Sequence, residues 1–183
     1  MPTIAVSDNK KLVFVSRAVA KDDTRIFMDG FQIDRDDYDD DKKIIVATDG
    51  KRLHIAETEL DTDNLIVGHG YKVHKVRKTD VQYSVKSNDY TFPNWHRVMP
   101  SDVEDTDLVL DFATNNKTLH HKGICNLIQA MPKGTGLNLD YLKDLMGFTW
   151  NVGFGKRRDE VHLVRFTVPN THMVALIATT MLS

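Results

Sequence analysis

The sequence predicts an α+β protein in which helices pack on antiparallel sheets. Three observations carry that expectation. Strand-like runs rich in Val, Ile and aromatic residues outnumber helical segments and follow one another through short polar turns. Only two segments combine helical spacing with a capping residue at their start. Each half of the chain offers one such helix followed by strands, which suggests two βαβββ-like halves, about 1–100 and 101–183. They are expected to form a single domain with an insertion around 68–131.

Taken in order, Thr3–Val6 reads as an opening strand, after which Asp8 or Asn9 can cap a helix from Lys10 to about Lys21. Leu12, Val15, Ser16 and Val19 would share one face of that helix, and Lys10, Phe14, Arg17 and Lys21 the other. Strands are expected at Arg25–Ile33, Lys43–Thr48 and Leu53–Ala56. Between the first two, Asp34–Asp41 holds six aspartates in eight residues. So dense a like-charge run cannot be buried and reads as a solvated hairpin loop. Lacking the glycine and terminal glutamate of an EF-hand, it is a poor calcium site.

Further strands are expected at Leu65–Val67, Tyr71–Arg77 and Val81–Lys86. In the last of these Val81, Tyr83 and Val85 alternate with polar neighbours, as in a half-buried strand. Lys72, Lys75, Arg77, Lys78 and Lys86 make Tyr71–Lys86 the most basic stretch of the chain. Prolines at 93 and 100 bracket an extended or turn segment. Leu108–Phe112 is a strand candidate, and Asn126–Met131 fits either type. A second helix is expected over Leu139–Met146, with Asn138 as its cap and Gly147 as its stop. Strands at Trp150–Phe154, Val161–Val168 and Met173–Ala178 close the chain, the first two joined by a turn at Gly155–Asp159.

Composition narrows the function. With 183 residues, 41% hydrophobic and 27% charged, the chain is an ordinary globular protein. A net charge of −2, spread evenly over both halves, excludes a wholly basic nucleic-acid module. One cysteine, Cys125, excludes an internal disulfide and a cysteine-based zinc site, and reads as a buried structural thiol. Neither a membrane-spanning run nor a secretion signal is present, so a soluble, cytoplasmic protein is expected. His120 and His121 are adjacent and lack partners at ligand spacing. There is no HExxH, no GxSxG and no GxxxxGK[ST] sequence, and Gly153-Phe154-Gly155 lacks a third glycine. No catalytic constellation and no cofactor site are expected, and the protein reads as a non-enzyme.

Two short motifs point elsewhere. Val46-Ala47-Thr48-Asp49-Gly50-Lys51-Arg52-Leu53 resembles the Ala-Thr-Asp-Gly-x-Arg-Leu signature of the bacterial beta sliding clamp family, the processivity factors of replicative DNA polymerases. Phe92-Pro93-Asn94-Trp95-His96-Arg97-Val98-Met99-Pro100 resembles that family's Phe-Pro-Asp-Tyr-x-Arg-Val-Leu-Pro segment, in the same order along the chain. Phe14–Ala20, Gly136–Leu142 and Met173–Ile177 are similar to its first helix, a later helix start and its closing strand.

The resemblance implies a DNA-clamp-like fold in a shortened, divergent member of viral or mobile-element origin. It implies a homo-oligomer that encircles or holds duplex DNA without sequence specificity and tethers a polymerase. Such a protein needs only diffuse positive charge toward phosphates. Lys10, Arg17, Lys21, Lys72, Lys75 and Lys78 are the candidates for that role. The resemblance further implies a groove for peptide motifs of polymerases or clamp loaders, lined by Thr48, Gly50, Lys51, Arg52, Leu53, Pro93, Arg97, Val98, Met173 and Val174. Two alternatives remain open: a clamp-fold peptide adaptor that does not encircle DNA, and a structural oligomeric protein.

Overall fold

The structure, a computed structural model, describes residues 4–21, 27–35, 42–59, 65–86, 91–100, 102–156 and 161–181. The chain forms two compact units, Met1–Trp95 and His96–Ser183.

In the first unit the elements run β1 (Ala5–Ser7), α1 (Lys10–Ser16), β2 (Gly30–Arg35), β3 (Lys42–Thr48), β4 (Arg52–Glu59), β5 (Gly70–Val76) and β6 (Val81–Val85). The strands pair antiparallel in the order β1-β6-β5-β2-β3-β4. Phe31 stacks on Tyr71 at 5.1 Å and meets Tyr83 edge-on at 5.5 Å, so one aromatic cluster ties β2, β5 and β6 together. Gly30 permits the approach of β2 to β5, because a Cβ there would lie 1.8 Å from the Tyr71 carbonyl oxygen. The expected strand at Leu65–Val67 is not formed. Asp34 and Arg35 end β2, and the rest of the acidic run, 36–41, lies outside the described residues.

The first helix departs most from expectation. Asn9 is its cap, its side chain accepting from the Lys11 and Leu12 backbone N–H groups at 2.9 and 3.3 Å. The helix stops at Ser16 instead of continuing to Lys21, and Leu12 through Ser16 are all buried. The expected basic face therefore does not exist, since Phe14 at its centre has no exposed surface. At this point His54 of β4 meets the helix. Its Nδ1–H donates to the Phe14 carbonyl at 3.0 Å, and its ring stacks on Phe14 at 4.4 Å and 4°. Arg17 and Ala18 then fold back onto Phe14 and Val15 with three-residue hydrogen bonds, and the Ala20 N–H turns to Met28. The last carbonyls are thereby satisfied and propagation ends.

In the second unit a 3₁₀ turn at Trp95–Val98 leads to β7 (Asp102–Asp111), α2 (Lys117–Ala130), β8 (Thr135–Gly136), a 3₁₀ helix at Leu139–Leu145, β9 (Thr149–Lys156), β10 (His162–Thr167), β11 (Val174–Ala178) and β12 (Thr180–Met181). The sheet order is β11-β10-β9-β7, all antiparallel, with β8 and β12 as a separate pair. Fully buried Trp150 anchors the 3₁₀ helix by donating from Nε1 to the Leu145 carbonyl at 2.8 Å.

The second predicted helix thus has its expected cap and stop, Asn138 and a Gly147 at φ +99°, but a tighter winding. Its buried residues, Leu142 and Leu145, are three apart, a spacing that lines up directly at three residues per turn. The segment 68–131, expected as an insertion, holds β5, β6, β7 and α2, each built into its own unit. Strand β7 starts six residues before the expected Leu108, its acidic alternation having no apolar period to betray it.

Candidate nucleic-acid and partner interface

The turn between β3 and β4 is built from the first motif. Gly50 takes φ +84°, which a β-carbon would penalise. Thr48 Oγ1 accepts from the Gly50 N–H at 3.0 Å and donates to the Arg52 carbonyl at 2.7 Å. The Asp49 carboxylate accepts from the Lys51 and Arg52 backbone N–H groups at 2.9 and 3.0 Å, and from Arg52 Nε at 3.1 Å. The motif thus sets the turn and also the direction of the Arg52 guanidinium, whose side chain is only 10% exposed. Gly50 and Lys51 form its exposed tip.

The remaining groove candidates lie on other elements. Pro93 is half-buried just before Trp95, whose Nε1 donates to Asp34 Oδ2 of β2 at 2.6 Å. Arg97 is exposed and Val98 half-buried in the 3₁₀ turn. Met173 and Val174 lead into β11, fixed by the Val168 N–H to Met173 carbonyl bond at 3.1 Å. Leu53 and Met173 are each 2% exposed, so neither offers surface to a peptide in this conformation. The first is a core residue of its own unit.

The cations divide similarly. Lys10 and Lys21 are exposed at either end of the α1 region, while Arg17 is half-buried in the turn that ends it. Lys72 pairs with Asp29 at 3.4 Å, and Lys86 pairs with the same carboxylate. Burial lowers the Lys86 pKa against that pairing. Lys75 and Lys78 are exposed on β5 and the following turn, where Arg77 bonds Asp80 at 2.7 Å.

Sequence reasoning missed α2. From Phe112 to Leu139 the chain has no acidic residue, and Lys117, Lys122 and Lys133 are all exposed. The helix is capped by Asn116 and buries only Leu127 completely. His120 holds its start, with Nε2 2.8 Å from the Thr114 carbonyl oxygen and its ring edge-on to Phe112. Gly123 lies close over Leu110 of β7, where a Cβ would come within 3.1 Å of the leucine. The lysines, His121 and Cys125 face outward; Cys125, expected to be buried, is exposed. The twenty-eight residues without a carboxylate were the available signal.

Among the described residues no cluster of histidine, cysteine, aspartate or glutamate is placed to hold a metal ion, and no helix is long and apolar enough to cross a membrane.

Compared by sequence, the chain matches no family model and no curated protein. Compared by structure, it is similar to the DNA polymerase III beta chain of Streptococcus pneumoniae, with a TM-score of 0.61 at 13% identity, over 98% of this chain and 65% of that one. The beta subunit from Borrelia burgdorferi gives 0.62 at 11% identity, over 99% and 65%. The Caulobacter crescentus beta sliding clamp gives 0.59 at 17%, over 98% and 65%. The chain thus spans about 65% of the length of these clamps. Over nearly all of its own length, it has the fold of the bacterial DNA polymerase III beta sliding clamps.

Proposed function

We propose that this protein is a sliding-clamp-like processivity factor: a non-catalytic cytoplasmic protein that holds duplex DNA without reading its bases and tethers a polymerase. The clamp fold supports the class, and the carrying observation is α2, an exposed helix in an acid-free stretch of a chain whose net charge is −2. A local cationic ridge on a net-acidic protein attracts phosphates while the remaining surface is repelled, so a duplex is held at one face only. Lys117, Lys122 and Lys133 carry this contact. The test is retention on DNA after extensive washing. A topologically linked protein stays on closed circular duplex and is lost when the circle is cut once; equal loss from both forms refutes encirclement.

A second reading, a peptide adaptor, draws on the β3–β4 turn. Asp49 fixes Arg52 there, and a guanidinium of fixed direction suits a peptide carbonyl or carboxylate. In this reading Arg97 and Val98, which keep accessible surface, carry more of the binding than buried Leu53. Titration with a labelled clamp-binding peptide of a replicative polymerase should saturate. Arg97→Ala with Val98→Ala should weaken it about fivefold, the loss of roughly 1 kcal/mol usual for a peripheral anchor. Absence of saturable binding by folded wild type removes the groove.

A further inference from the structure

We propose that α2 is a marginally stable helix that duplex DNA completes. In the free protein it opens far more readily than the strands of its unit, and phosphates on its outer face hold it closed. The inference rests on the clamp reading's DNA contact at α2 and adds a local folding step to that contact.

Two independent observations carry it, and the first is burial. Ten of the fourteen residues of α2 are exposed, and Leu127 alone is buried completely. In the seven-residue α1, by contrast, five consecutive residues are buried. A helix of about 12–15 residues is marginal in water by itself, and in proteins most helical stability comes from a packed apolar face. Here that face is His120, Gly123, Ile124 and Leu127. Gly123 is a poor helix former, and an alanine in its place would bring a Cβ within 3.1 Å of Leu110. At the far end Met131 is extended and Pro132 follows, so the helix stops without a left-handed cap residue.

The second observation is charge. The N-terminus of a helix is partially positive and the C-terminus partially negative, so acids stabilise the first turn and bases the last. α2 has no acid in its first turn and no base in its last. Its charge is set the other way, with Lys117 at the first position, Lys122 at the sixth, and no charged residue from Gly123 to Ala130. Asp111, the nearest carboxylate before it in sequence, accepts from the Ala113 N–H at 3.0 Å and from Thr149 Oγ1 at 3.3 Å. The start of the helix is held by a neutral group: Asn116 Oδ1 accepts from the Thr118 and Leu119 N–H groups at 3.1 and 3.3 Å.

Exposure and charge thus both weaken α2 in the free chain, and a polyanion reverses the second effect. Phosphates beside Lys117 and Lys122 stand where the missing carboxylates would be, so cations that oppose the isolated helix favour it in the complex. Ordering the helix takes up part of the energy of those phosphate contacts.

The test is amide hydrogen exchange of the full chain over residues 113–131, with and without a short DNA duplex. In the free protein the α2 amides should exchange at least about 100-fold faster than those of β9 and β10. Duplex at about 100 times its dissociation constant should slow them about 100-fold, because it binds only the closed helix. Lys117→Glu separates the two effects of that lysine. It should slow exchange in the free chain about threefold and weaken duplex binding about tenfold. The position is exposed, and unchanged near-ultraviolet circular dichroism establishes that the variant folds. If duplex binds but the free α2 amides are as protected as those of β9 and β10, the proposal is overturned and the DNA reading stands. A Lys117→Glu chain whose free exchange is unchanged or faster overturns it too. Fast exchange that saturating duplex leaves unchanged removes α2 from the DNA contact, and the proposal with it. A wild type that binds no duplex refutes the clamp reading itself.

Discussion

Replacing Lys117, Lys122 and Lys133 with alanine lowers affinity for duplex DNA on the order of 100-fold at physiological salt. The dependence of log affinity on log salt becomes shallower by about 2.7, since each lysine that neutralises a phosphate contributes about 0.9 to the slope. The effect is uniform across sequences, because phosphate contacts carry no base information. The three side chains are exposed in a stretch free of carboxylates, so their removal breaks no ion pair with a neighbour in that stretch. Unfolding free energies should therefore stay within about 0.5 kcal/mol of wild type. Fluorescence anisotropy with a short duplex at several salt concentrations gives both numbers. Unchanged slope in the triple variant would place the duplex elsewhere.

The second large effect is loss of stability in acid, with its source at His54. The ring is completely buried; its Nδ1 serves the Phe14 carbonyl, and its Nε2 has no hydrogen-bond partner among the described residues. Burial is the main cause that lowers its pKa from 6.5 to about 3; the bond to Phe14 opposes this, and the charges of Arg52 and Arg17 add to it. Because the folded pKa lies below the unfolded one, the unfolded chain binds the extra proton between these two values. Stability from the neutral ring is complete above about pH 6.5 and is lost as pH falls toward 3, at about 1.4 kcal/mol per pH unit. Carboxylates add their own slope in acid, so the diagnostic quantity is the difference between wild type and His54→Gln. Urea unfolding from pH 7 to pH 4 should show the variant less stable at pH 7, by about 1–3 kcal/mol for the disrupted contact, and less sensitive to acid. Parallel pH profiles would refute a titrating His54.

Local chemistry was legible where it acts over a few residues. Asn9 and Asn138 were readable as caps, and Thr48-Asp49-Gly50 as a turn, because each works through its own side chain on backbone two or three residues away. The β3–β4 hairpin and the closing strands β9, β10 and β11 were readable from apolar runs and the turns between them. The clamp resemblance rested on such local motifs, and the clamp fold follows it over nearly the whole chain.

What failed was wherever distant residues decide. α1 ends at Ser16, packed under an imidazole forty positions away, and the lysine and arginine spacing beyond Ser16 suggested a helix face that never forms. α2 escaped notice for the opposite reason. It buries one residue completely, and its inward stripe of His120, Gly123, Ile124 and Leu127 is too polar to give a helical period. Leu53 and Met173 belong to the family motif or its neighbourhood, yet only packing determines that they are covered.

The sequence by itself determined the caps, the turn geometry and the α+β class, because hydrogen bonding within a few residues and alternation along a strand are properties of the chain alone. Tertiary structure decided which helix is covered and which is exposed. Burial depends on what a sheet brings together from far along the chain. It moved the proposed contact with DNA from α1, held under His54, to α2, whose outer face packs against nothing in its unit's described sheet.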